Sequence, residues 1–158
     1  MDQELTITSR KNERIRDAKQ LQQRKYRDQR GSFYLEGVRV VEEALSTPLV
    51  ETVFYSPRLT STSRGLELVR KAKNQRVHTL PCSEEVLSEL TDTVQSQGVV
   101  AVVRKPAWPS FCSGVMLIAD EIQDPGNMGT LLRTAVGSGV QGLFSSALRC
   151  FIHQRRCL

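Results

Sequence analysis

The stretch Gly98-Val-Val-Ala-Val-Val-Arg104 carries five apolar residues in a row. A strand of that kind has no face suited to water, so it belongs inside a sheet covered on both sides. The flanking chain supplies elements to cover it. Phe33–Leu35 reads as a short strand, and Gly37 leads into a helix with Val38, Val41, Ala44 and Leu45 on one side, stopped before Pro48. Val50–Tyr55 is strand-like, residues 62–74 suit a helix, and Arg76–Leu80 suits another strand. Ser83 is placed to cap a further helix, with Glu84 and Glu85 in the first turn where the helix dipole favours acids. Strands alternating with helices predict an α/β domain over residues 31–104.

Ahead of it, Ser9 is expected to cap one helix running to about Gln29, with a thin apolar stripe of Ile15, Ala18 and Leu21 and a stop at Gly31-Ser32. This segment, residues 1–30, holds most of the charge. Between Arg10 and Arg30 stand nine Lys/Arg and three Asp/Glu, a local excess of six against a net charge of +5 for all 158 residues. Clustered cations attract polyanions, because each neutralised phosphate releases a counterion. Arginine outnumbers lysine 16 to 6, and its planar fork suits phosphates and bases. A solvated helix face accounts for the charge equally well.

Residues 105–114, Lys-Pro-Ala-Trp-Pro-Ser-Phe-Cys-Ser-Gly, read as a linker, with Trp108 as a packing anchor between domains. Cys82, Cys112, Cys150 and Cys157 form no C-x-x-C pair, and His78 and His153 lie far apart, so no metal site is expected. Free thiols, a polar N-terminus without a signal-peptide core and the absence of a long apolar run all point to the cytoplasm and away from membranes.

Beyond the linker, Val115–Asp120 reads as a buried strand, a loop follows to Asn127, a helix runs from about Met128 to Val136, and Val140–Phe144 is the next strand. This is one βαβ unit. Met128, Leu131, Leu132, Ala135 and Val136 share the helix face that packs on the sheet. Arg133 lies off that face, beside Gly129 and Thr130, and leans toward the helix start, where unpaired N–H groups favour anions. Asn127 is free either to cap the helix or to present its amide to a ligand. The constellation sits at the carboxyl end of a strand, where open α/β sheets bind ligands. An ordinary strand–turn–helix with Arg133 in a surface ion pair fits the same spacing. A nucleotide-phosphate loop is a weaker third reading, since no G-x-x-x-x-G-K-[ST] pattern is present.

Asp120-Glu-Ile-Gln-Asp-Pro-Gly-Asn-Met-Gly-Thr-Leu-Leu-Arg-Thr-Ala135 resembles the first motif of the SpoU (TrmH-like) RNA ribose 2′-O-methyltransferases of the SPOUT superfamily, roughly D-x-x-x-D-P-G-N-x-G-x-x-x-R-T-A. Ile7–Asn12, Arg24–Arg27, Phe33–Val38 and Gln97–Val102 resemble that family's N-terminal substrate-binding domain. The resemblance implies a ribosomal-protein-like α/β substrate-binding domain, then the first βαβ part of a trefoil-knot methyltransferase domain over residues 115–144.

It also implies that Asn127 and Arg133 are catalytic. Arg14, Arg24, Lys25, Arg27, Gly129 and Thr130 are then expected to contact RNA, either rRNA or tRNA. The implied methyl donor is S-adenosylmethionine, and family members form homodimers. The family's two later motifs, which build the knot and hold the donor, do not occur here. Residues 145–158 read as a tail outside the family pattern, which suggests a truncated or frameshifted product, the alternative being a genuine short protein with a basic tail. The expectation is therefore a 2′-O-methyltransferase by family, inactive alone for want of the knot, with exposed Leu131, Ala135 and strand faces. The rival is a non-catalytic RNA-binding module.

Overall fold

The computed structural model describes residues 5–91, 96–107, 114–145 and the backbone of 156–157. Trp108, most of the linker and most of the tail lie outside the described residues. The chain forms two compact units, residues 1–106 and 107–158.

The first unit is built on a four-stranded sheet in the order β1-β4-β2-β3, from β1 (Ser32–Glu36), β2 (Val50–Tyr55), β3 (His78–Pro81) and β4 (Val99–Arg104). β4 runs antiparallel to both neighbours, while β2 and β3 are parallel. The parallel pair is joined through α4 (Pro57–Thr60) and α5 (Ser63–Asn74). β4 is an inner strand, and Val99 to Val103 are all buried, as their unbroken apolar run requires. Their side chains alternate between layers. Val99, Ala101 and Val103 join a core with Val41 and Leu45 from α3 (Val38–Ala44) and its cap, and with Leu68 and Ala72 from α5. Val100 and Val102 join a second core with Ile15, Ala18 and Leu21 around α1 (Glu13–Gln20), and with Val86 and Leu87 of α6 (Glu84–Leu87). Ser83 caps α6, accepting from Val86 N–H at 3.3 Å.

Two local expectations are corrected. The basic N-terminal segment is not one helix from Ser9. Asn12 is the N-cap of α1, accepting from Arg14 N–H at 3.0 Å, while the Ser9 hydroxyl accepts from Lys11 N–H at 3.2 Å in a turn of its own. α1 ends at Gln20, and α2 (Arg24–Arg30) starts afresh. The break follows the apolar stripe: Leu21 is its last member and is wholly buried, whereas α2 buries no residue. A straight continuation would press charged side chains toward the sheet, at high desolvation cost. Gly31, at φ +66°, ends α2 in the left-handed conformation that glycine adopts most readily. The second correction is at β3, which begins at His78 because Arg76, at φ +58°, closes the preceding helix in a left-handed turn.

In the second unit, β5 (Met116–Ala119) and β6 (Gly142–Ser145) are parallel, and α7 (Pro125–Gly137) connects them. Arg156–Cys157, β7, pairs antiparallel with β6, a third strand not foreseen for the tail. Met128 and Ala135 of α7 are buried and Leu131 and Leu132 half-buried, but Val136 is 61% exposed. The covering face of α7 is therefore narrower than the pattern suggested, with Ala135 inside it and Val136 outside. Ala135 is covered, contrary to expectation. The strand face is exposed as expected, through Ile118 (73%) and Phe144 (50%), paired neighbours on β5 and β6.

Candidate functional site

The constellation foreseen around the second-unit turn begins where β5 ends. Glu121 follows at φ +50°, a left-handed conformation uncommon for a residue with a side chain. Strain of this kind persists where surrounding structure fixes it, often beside functional groups. Asp124 then caps α7: its carboxylate accepts from Asn127 N–H at 2.7 Å. Pro125 takes the first helical position, where a missing N–H costs little. A side chain on Gly126 would bring its Cβ within 3.1 Å of Asp124 Oδ1, so glycine leaves the capping carboxylate its room.

These contacts decide between the two roles open to Asn127. Asp124 does the capping, and the Asn127 carboxamide is left exposed at the end of the first turn. They also correct the anion argument. The helix start already carries a carboxylate, and Pro125 offers no N–H, so bare backbone donors are not its main attraction for phosphate. Arg133, one to two turns further along α7, is exposed. Among the described residues, neither the Asn127 amide nor the Arg133 guanidinium has a hydrogen-bond or ion-pair partner, so the surface ion pair considered for Arg133 is not formed.

Six positions separate Asn127 from Arg133, which places them about 120° apart around the helix axis. Thr130 falls in the arc between them and Gly129 just past Arg133, both one turn nearer the helix start, toward which Arg133 leans. Nothing stands within 4 Å of a Cβ built on Gly129, so this part of the helix surface is open. The Thr130 hydroxyl donates to Gly126 C=O at 3.0 Å.

The cationic residues of the first unit divide by role. Arg27 is half-buried, and its Nη1 donates to the carbonyls of Leu21 (3.0 Å) and Gln22 (2.7 Å). It thus closes the end of α1, where orphan carbonyls need donors. Arg24 stands 3.6 Å from Asp28, one turn along α2. Lys25 lies 6.0 Å from the centre of the Tyr26 ring. Arg14 is exposed on α1 and has no partner among the described residues.

Arg14 also borders a hollow of about 200 Å³ that sequence reasoning missed. Its floor is the sheet face of Phe54, Leu80 and Val102, and its rim carries Arg14, Asp17, Arg30, Thr52 and His78. The period-2 pattern hinted at the floor, since Thr52 and Phe54 share a face of β2, as His78 and Leu80 do on β3. The line that α1 takes across this face was not readable from periodicity.

Elsewhere, Cys82 is buried and its thiol is pushed up to about 12 by burial, which makes it a packing residue and not a nucleophile. Among the described residues no group of three or more His, Cys, Asp or Glu is placed to hold a metal ion, and no helix is long and apolar enough to cross a membrane.

A family model for the MRM3-like substrate-binding domain matches residues 12–101. An uncharacterised tRNA/rRNA methyltransferase of Synechocystis sp. is 34% identical over 147 residues, covering 90% of this chain and 53% of the relative. The 23S rRNA (guanosine(2553)-2′-O)-methyltransferase of Bacillus subtilis is 31% identical over 137 residues, covering 87% and 52%. Among solved structures, an RNA 2′-O ribose methyltransferase superimposes with a TM-score of 0.72 at 26% identity, covering 90% of this chain and 56% of that one. An AdoMet-bound rRNA methyltransferase from Sinorhizobium meliloti gives 0.70 at 28%, covering 92% and 56%. The chain spans about half the length of the relatives it matches.

Proposed function

This chain belongs to the SpoU/TrmH family of RNA methyltransferases and carries its MRM3-like substrate-binding domain; from that premise we propose that it serves S-adenosylmethionine-dependent methylation of ribose 2′-hydroxyls in rRNA or tRNA. In this reading the first unit grips structured RNA and the α7 turn presents the reacting side chains. The observation that carries it is the division of labour at that turn: Asp124 caps the helix, so the side chains of Asn127 and Arg133 remain exposed and unpartnered among the described residues, with open surface at Gly129 beside Arg133.

A guanidinium is a donor without an acceptor site, which makes arginine a poor general base. Its suitable work is to clamp a flanking phosphate and to stabilise negative charge growing on the ribose O2′ as the hydroxyl loses its proton. Asn127 offers both an amide N–H and a carbonyl oxygen, and so can orient that hydroxyl.

The methyl donor is a different matter. A pocket for a ligand of that size buries most of its surface. Here Asn127, Arg133 and Thr130 are exposed, and one helix on short strands gives a single wall. The described residues do not enclose the donor. By this reading the 158 residues bind RNA but do not hold S-adenosylmethionine alone.

The test joins to this chain the part of the Bacillus subtilis relative that the alignment does not reach, and follows labelled methyl transfer to rRNA and tRNA. Incorporation at a ribose O2′ that Arg133→Ala abolishes supports the proposal. Incorporation indifferent to Arg133→Ala, or no RNA affinity in the first unit, overturns it. The rival, a non-catalytic RNA-binding module, draws on the same cationic first unit; it predicts RNA binding with no transfer in the joined chain.

A further inference from the structure

The first-unit hollow has a chemistry of its own. Its floor is apolar, from Phe54, Leu80 and Val102, and its rim mixes signs: the guanidinium groups of Arg14 and Arg30, the imidazole of His78, the carboxylate of Asp17 and the hydroxyl of Thr52. Arg14, Asp17, Arg30 and His78 are exposed, so their polar ends are available. Among the described residues Arg14 and His78 have no partner, and the ion pair of Arg30 is a long 3.9 Å contact with Glu51.

The volume of about 200 Å³ is below the roughly 300–1,000 Å³ usual for drug-sized ligands, so the occupant is small. A bare phosphate has no use for an apolar floor and is repelled by Asp17. A flat heterocycle suits the floor. The rim then selects among heterocycles. An ionised carboxylate only accepts, and a guanidinium only donates, each through two adjacent atoms. Of the four RNA bases, guanine alone has two adjacent donors (N1–H and N2–H) on one edge and two adjacent acceptors (O6 and N7) on another. Arginine's bidentate match to O6/N7 is the commonest specific base contact, and proteins read RNA chiefly through unpaired bases.

We propose that this hollow seats one unpaired guanine of the RNA, a nucleotide other than the one whose ribose meets Arg133. Asp17 accepts from N1–H and N2–H, an arginine of the rim donates to O6 and N7, and the ring lies over the half-buried Leu80, with the buried side chains of Phe54 and Val102 beneath. The proposal deepens the RNA-methylation reading and rests on it for the source of the guanine, but its test does not involve methyl transfer.

The four nucleoside 5′-monophosphates and inorganic phosphate are each titrated into the 158-residue chain, with the ring-proton NMR signals of His78 as reporter. His78→Gln assigns those signals against His153. The expected result is a saturable shift with guanosine monophosphate at least about tenfold tighter than with the other three, the size of one good bidentate contact. Asp17→Asn should remove most of that preference, and Arg14→Ala should weaken binding, with the fold of each variant checked by circular dichroism. No shift at His78, equal response to all four nucleotides, or an equal response to phosphate overturns the proposal. None of these outcomes bears on whether Arg133 is needed for transfer.

Discussion

Gly65 and Gly129 both sit inside helices, and the same substitution should change stability in opposite directions. In α5, a Cβ on Gly65 would lie 2.0 Å from Leu59 C=O oxygen, 2.7 Å from its carbonyl carbon and 2.8 Å from its Cγ. Backbone cannot swing aside as a side chain can. Leu59 is 1% exposed, and its carbonyl accepts from Thr62 Oγ1 at 3.0 Å, while Thr62 Oγ1 itself accepts from Gly65 N–H at 3.0 Å. Making room therefore parts α4 from α5 and strains the Thr62 cap. Overpacking costs about 1–3 kcal/mol or more, and a disturbed cap adds about 1. Better helix propensity returns about 1. The net expectation for Gly65→Ala is about 1–3 kcal/mol of destabilisation, since the last two terms cancel.

Gly129→Ala meets nothing within 4 Å, so only the propensity gain of about 1 kcal/mol remains. Urea unfolding, with amide exchange resolving β2 and β4 amides from those of α7, reads the two effects separately. A Gly65→Ala chain within about 0.5 kcal/mol of the parent would refute the close approach of α4 and α5, and with it the packing argument for that layer.

Asp124→Ala should cost about 1 kcal/mol of local stability in the first turn of α7, seen as faster exchange of Asn127 N–H. Arg27→Ala should lower the unfolding free energy by about 1–2 kcal/mol, because two carbonyls lose a charged donor. Arg14→Ala should leave stability unchanged and lower RNA affinity, with a smaller salt slope; equal behaviour of the two variants would contradict the separation of structural from binding arginines. Glu89 is held below the usual carboxylate range by its hydrogen bond to Lys19 and by the nearby charges of Lys19 and Arg10, and Glu42 likewise by Arg64. A carboxylate depressed in the folded state stabilises above its unfolded value, about 4.5, and loses that contribution as pH falls through the folded value. Acid titration should therefore loosen α1 and the α3–α5 contact only below about pH 4.5, with little change between pH 6 and 8. Calorimetry with S-adenosylmethionine should show no binding to the 158 residues, and low-micromolar affinity would contradict the single-wall argument.

Much of the first unit was legible because its elements are governed by local rules. β4 declares itself by five consecutive apolar positions and α6 by its Ser83 cap. The α1–α2 break was not legible, since Ser9 and Asn12 are both good caps. The choice depends on Ile15, Ala18 and Leu21 reaching the sheet together, and on Arg27 reaching back six residues to Leu21. At the second-unit turn the residue types and spacing were readable, but Asp124 and Asn127 compete for one capping role. Only the backbone geometry, with Pro125 in the first turn, decides between them. The hollow escaped because it forms between a helix and strands distant in sequence.

A strand apolar on both sides has a weakness in its design. Sliding β4 by one residue would exchange its two layers yet still keep oil against oil, so solvent aversion alone sets its alignment poorly. The anchor is at its entrance. Gly98, at φ +78°, lies against Ser56 and Leu59 so closely that a Cβ there would stand 2.7 Å from Ser56 Oγ and 2.9 Å from Leu59 N. Only a residue without a side chain can thread that gap, and only one position of the segment offers it. One hydrogen atom in place of a methyl group thus works as an index mark that tells a slippery ribbon where to stop.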